Sequence, residues 1–205
     1  MIWDRRGTRG WGLACGLVAL FAIAAGGAGC SNVFQQVVRD RSASGSDWLA
    51  TRAEESLAMH REALKMLADT AAGFDDTWLR DHPLLLWKSL EECRYEAGEE
   101  IWEARKRTAS IGDVLRIVGD PSAGAPPGEI NDVQRQHAER VIELLDQAAD
   151  GLDASLEAVS VIVDTWKGQM TADEFDPGTI SGPLSGIEAL LKEASGEVEA
   201  LRAKP

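Results

Sequence analysis

Two long stripes of apolar residues constrain this chain more than any other feature. In the first, Trp87, Leu90, Ala97, Ile101, Ala104, Thr108, Ile111, Leu115 and Val118 recur at alternating steps of three and four. Arg94 is the one charged residue on that line, and a long stem lets such a side chain snorkel. The second stripe holds Val133, His137, Val141, Leu144, Ala148, Leu152, Val159, Ile162 and Trp166. A helix of 3.6 residues per turn keeps such a pattern on one side, and a strand scatters it over two. The spacing predicts one helix over residues 83–118 and another over about 130–167. At 1.5 Å per residue each would be on the order of 50 Å long. Between them, residues 119–128 read GDPSAGAPPG, a loop by composition. A connection that short folds the second helix back antiparallel on the first.

Two further helices can cover this hairpin. Ser46 or Asp47 can cap one that ends at Gly73. After FDDTWLRDH, Pro83 stands at a natural first helical position. Residues 168–182 read as a second loop, and Pro183 is expected to open the last helix. That helix carries Leu184, Ile187, Leu191, Ala194, Val198 and Leu201 in heptad order. Gly98, Gly112 and Gly151 fall inside helices and point to kinks or to close helix approach. Strand-like alternation of useful length is absent. The expected fold is all-α: an elongated up-down antiparallel bundle of about four helices with a long central hairpin, following an N-terminal segment of a different kind.

That segment opens with MIWDRRGTRG, which carries Arg5, Arg6 and Arg9 against Asp4. An uncharged apolar run follows over residues 11–25, then GGAG and Cys30. A basic start, an apolar run and small residues before a cut site make a secretory signal. With Ala28 and Gly29 before Cys30, the segment resembles a bacterial lipoprotein signal, although Gly27 stands where that family usually has Leu. The resemblance covers residues 1–32 alone. It implies a signal peptide over 1–29 and acyl chains on Cys30 as the first mature residue. Ser31 after it would direct the protein to the outer membrane, facing the periplasm, in a host that has one. The competing reading is an uncut anchor, since residues 10–32 are uncharged over a length that spans a bilayer. The domain layout is then 1–29 signal, 30–46 lipidated N-terminus and tether, and 47–205 helical bundle.

Charge and cysteine usage narrow the function. The whole chain carries −13, and residues 1–29 remove +2 with them, so the mature chain stands near −15. That balance argues against nucleic acid and against adhesion to anionic head groups. Membrane contact is expected through the lipid. Cys93 is the only other cysteine of the mature chain, so an internal disulfide cannot form if Cys30 is acylated. Cys93 reads as a small buried hydrophobe, with an intermolecular disulfide as the sharper alternative.

Motifs for chemistry are few. His60, His82 and His137 show no metal-ligand spacing and read as solvated or core-edge residues. TADEFDPG, residues 171–178, places Thr171 and Glu174 at capping-box spacing and lacks the EF-hand pattern. EECRYEAGEE packs five glutamates into residues 91–100. Helical spacing puts Glu92, Glu96 and Glu99 on one face, and Glu96 with Glu100. Such a face can hold a divalent cation or a basic partner, or it can be solvated and paired with Lys88, Arg94 and Arg105. Trp87 and Trp166 lie on the stripes and are expected in the core. Trp78 is either a partner anchor or a lid over the bundle end.

The expected function is a lipid-anchored interaction or structural protein of the cell envelope, with an envelope protein or a second copy as partner. No motif for a cofactor or for catalysis supports an enzyme. The alternatives are an accessory subunit that binds cations or a cationic ligand through Glu92, Glu96, Glu99, Glu100 and Trp78, and an enzyme whose site is not recognisable.

Overall fold

The computed structural model describes residues 45–118, 130–166 and 175–203. Cys30 with its flanking segment, the 119–128 loop, and Thr171 with Glu174 lie outside the described residues. Residues 44–205 make up one compact unit. The core described below lies wholly within it, so that unit holds what it needs to fold alone.

The described residues form helices and no strand. They are α1 (Gly45–Gly73), α2 (Thr77–Arg80), α3 (Pro83–Val118), α4 (Asp132–Thr165), α5 (Gly178–Leu184) and α6 (Ile187–Arg202). The four long ones make the expected antiparallel bundle. α1 packs on α3 and α6, and α4 packs on the same two. α1 also meets α4 across the bundle, whereas α3 and α6 do not pack on each other. Both diagonal helices carry buried alanines, which keep their core faces slim: Ala50, Ala53 and Ala63 on α1, and Ala138, Ala148 and Ala149 on α4.

Both stripes of the central hairpin are core. Leu90, Ala97, Ile101, Ala104, Thr108, Ile111 and Leu115 are buried on α3, as are Val141, Leu144, Ala148, Leu152, Val159 and Ile162 on α4. Trp166 is buried just past the end of α4 and stacks on Phe175 with ring centroids 5.1 Å apart. Arg94 does lie at the edge of its stripe, where its guanidinium reaches Asp164 at 2.9 Å.

The structure corrects several expectations. Val133 is 60 % exposed. At about 100° per residue it lies some 80° from the centre of the buried arc of α4, so it faces out at the first turn. Trp87 is only partly buried, with its indole N–H directed to the Val163 carbonyl at 3.4 Å. α1 begins at Gly45, so Ser46 and Asp47 fall in its first turn and not before it. α4 begins at Asp132 with a reciprocal cap: the Asn131 side chain accepts from Gln134 N, and the Gln134 side chain accepts from Asn131 N.

Pro183 does not open the last helix. It sits inside the seven-residue α5, whose residues 178–182 fall in the stretch expected as loop. The chain then breaks at Ser185 and Gly186, which adopts φ +88°, and α6 starts afresh at Ile187. Glycine suits that left-handed conformation because it has no Cβ to clash. α5 is held by Ser155, whose hydroxyl donates to the Ile180 carbonyl at 2.8 Å. Gly151 lets α4 come this close. A Cβ there would stand 2.9 Å from Ile187 Cδ1 and 3.1 Å from the Pro183 carbonyl oxygen.

Candidate functional site

α3 presents its core line to α1 and α4 and leaves the opposite line bare. Leu84, Tyr95 and Trp102 stand on that bare line and are 72 %, 73 % and 61 % exposed. They span about 27 Å at 1.5 Å per residue. Large apolar side chains clustered on one exposed line are unusual for a solvated surface, and Tyr and Trp are enriched where partners dock.

The glutamates of residues 91–103 flank this line. Glu92 pairs with Lys88 at 3.5 Å, and Glu103 with Lys106 at 3.2 Å. The other two expected partners are engaged elsewhere. Arg94 goes to Asp164, and Arg105 goes to Asp150 and Asp153 on α4. Burial works against the charge on Arg105, but the hydrogen bonds of the two aspartates outweigh it and raise its pKa. Glu91, Glu96, Glu99 and Glu100 therefore make no ion pair among the described residues. Glu91, Arg94, Tyr95 and Glu99 line a shallow notch on the helix surface. Lys106 lies 4.7 Å from the centre of the Trp102 ring and shows that a cation stacks there.

Trp78 is placed differently. Asp76 caps α2 by accepting from the backbone N–H of Trp78 and Leu79, which fixes the turn between α1 and α3. The Trp78 ring stacks on His82 at 4.5 Å and remains 57 % exposed, so it is not the lid over the bundle end. The five residues singled out in the sequence thus divide. Glu92, Glu96 and Glu99 are exposed on α3, Glu100 is half-buried there, and Trp78 stands in the connection before it. Tyr95 and Trp102 escaped notice in the sequence because only their burial separates them from core aromatics. Their position opposite the Ile101 and Ala104 line was the available signal.

No three histidine, cysteine, aspartate or glutamate side chains converge as metal ligands among the described residues. The acidic face is spread along a helix and does not form a cage. A divalent cation needs several oxygens at one point.

His60 departs most from expectation. It is wholly buried between α1, α3 and α4. Its Nδ1–H donates to the Ser56 carbonyl at 2.8 Å, and Nε2 has no hydrogen-bond partner. Burial lowers its pKa, although the nearby Ser56 and Leu145 carbonyls and Asp146 favour the charged ring. Ser56 Oγ lies 3.4 Å from Nδ1, but it is committed to Thr108 at 2.8 Å and to the Ala104 carbonyl at 3.1 Å. Ser56, His60 and Thr108 are sealed from solvent, so no substrate reaches these three side chains. His82 donates from Nδ1 to the Trp78 carbonyl, and the half-buried His137 meets Glu197. Cys93 is buried, with its thiol directed at the Met66 carbonyl and its pKa raised by burial. A buried, protonated thiol is a poor partner for an intermolecular disulfide.

A wide concavity of about 1160 Å³ runs between α1 and the α5–α6 segment. Its walls come close to small side chains such as Ala68, Ala72, Ser181 and Gly196. Three cations and four carboxylates mix along it, so its charge selects no ligand class.

No protein-family profile, no curated protein and no solved structure matches this chain. No described helix is long and apolar enough to cross a membrane.

Proposed function

We propose that this is a lipid-anchored interaction protein of the bacterial cell envelope, held through Cys30 and working by binding another protein. The observation that carries the reading is the order of residues 1–30: arginines, an uncharged apolar run, small residues, then cysteine. Two features of the helical unit support it. Its arginines reach across the bundle in ion pairs to neighbouring helices, and α3 leaves an aromatic and acidic line uncovered. In a host with two membranes, Ser31 favours the outer one, facing the periplasm.

Mass spectrometry of the mature protein tests the anchor. Cys30 should be the first residue and carry acyl chains, and Cys30→Ser should leave an unacylated precursor of full length. A free N-terminus at any other residue would falsify it.

A further inference from the structure

We infer that the uncovered line of α3, residues 84–102, is the docking surface for a basic amphipathic helix of a partner protein. The inference rests on the proposed function only in taking binding to another protein as this chain's work; it does not need the lipid.

Three observations carry it. Leu84, Tyr95 and Trp102 present apolar surface along one helical line and stay largely exposed, with Lys106 alone resting on the Trp102 ring. An occupant that reaches all three must extend about 27 Å, the length of some 18 helical residues. Its own apolar residues would repeat at the same helical steps, as in other helix-on-groove recognition.

Charge then selects the occupant. Residues 84–103 hold six glutamates against Lys88 and Arg94. Arg94 is drawn away to Asp164, and four of the glutamates lack an ion-pair partner among the described residues. An acidic or neutral helix laid here would desolvate Glu91 and Glu99 without compensation, which is costly. A helix with lysine or arginine beside its apolar stripe would neutralise them. The notch of Glu91, Arg94, Tyr95 and Glu99 offers two carboxylates and an aromatic face to one such side chain, with the Arg94 charge balanced by Asp164. Lys106 already rests on Trp102 in this manner. The basic helix is thereby favoured over a second copy of this chain, whose own α3 line repeats the same glutamates.

The probe is an 18-residue leucine–lysine peptide with heptad spacing, titrated calorimetrically into the unit 44–205. Its leucine–glutamate counterpart is the comparison. The lysine peptide should bind, and the glutamate peptide should not. Tyr95→Ala with Trp102→Ala should weaken binding at least about tenfold, and Tyr95→Phe with Trp102→Phe should restore most of it. Glu91→Gln with Glu99→Gln should weaken binding and flatten its salt dependence. Glu139→Gln with Glu157→Gln, on exposed positions of α4, should leave the affinity within about twofold. Unchanged affinity in the Tyr95/Trp102 alanine variant overturns the inference. So does an equal loss in the α4 pair, or equal binding of the glutamate peptide. Self-association of the unit that the same alanine variant abolishes assigns the surface to a second copy and overturns it as well. The lipid plays no part in this titration, so an unmodified Cys30 and an unoccupied α3 are separate results.

Discussion

His60 is a polar group in a dry core with one nitrogen committed and the other bare, and that makes it sensitive to acid. Its pKa is lowered in the folded state, chiefly by burial, from an unfolded value of about 6.5. Below pH 6.5 the unfolded chain therefore binds more protons at this site than the folded one. The stability from the neutral ring is fully present above pH 6.5 and declines as pH falls through 6.5 toward the folded pKa. Urea unfolding at pH 7.5 and pH 5, for wild type and His60→Gln, reads this directly: wild type should lose more stability on acidification. A difference independent of pH would mean that burial does not discriminate between the two ring forms. A second contrast separates core from surface. Leu144 is wholly buried, so Leu144→Asp should cost about 3–5 kcal/mol by stranding a carboxylate. Glu99→Gln, on an exposed position, should change stability by less than about 0.5 kcal/mol. Thermal melts of the two variants decide, and similar small shifts would show that the stripe is not core. The Leu144 line was legible because His137 and Ser155 are its only polar members over more than thirty residues. His60 was not, because Ser56, His60 and Thr70 are buried on the core line of α1 and break its apolar pattern.

Among the elements, α3 and α4 announce themselves in the sequence and the α5–α6 segment does not. Thirty-six residues in one helix leave a stripe too regular to mistake. The seven residues of α5 contain two glycines and a proline, a loop composition that packing overrides through Ser155 and the Gly151 approach. Glycine has opposite meanings at two positions here. Gly151→Ala should cost about 1–3 kcal/mol, because the new methyl meets the Pro183 carbonyl as well as a movable Ile187 side chain. Gly196→Ala, on the open side of α6 with nothing within 4 Å, should instead stabilise by about 0.5–1 kcal/mol through helix propensity. Denaturant midpoints of the two variants should move in opposite directions. The candidate face was half legible: the glutamates stand out in the sequence, but that Arg94 and Arg105 turn to α4 depends on aspartates some 45–70 residues away.

At the scale of the molecule, the whole chain carries −13, so self-repulsion works against compactness. Raising sodium chloride from about 10 mM to 0.5 M should raise the thermal midpoint of the unit 44–205 by screening that repulsion. A fall would mean that the interhelical ion pairs of Arg94, Arg105 and Arg140 outweigh it. The meeting of α1 with α4 across the bundle has a further consequence for how the molecule opens. Those two helices meet at the centre, and each of the other long helices packs on both of them and far less on its opposite number. Detaching α6 would therefore expose one flank and leave the contact of α1, α3 and α4 whole. Amide protons of α6 should exchange with solvent before those of α1 and α4, as a layer that peels before the rest melts.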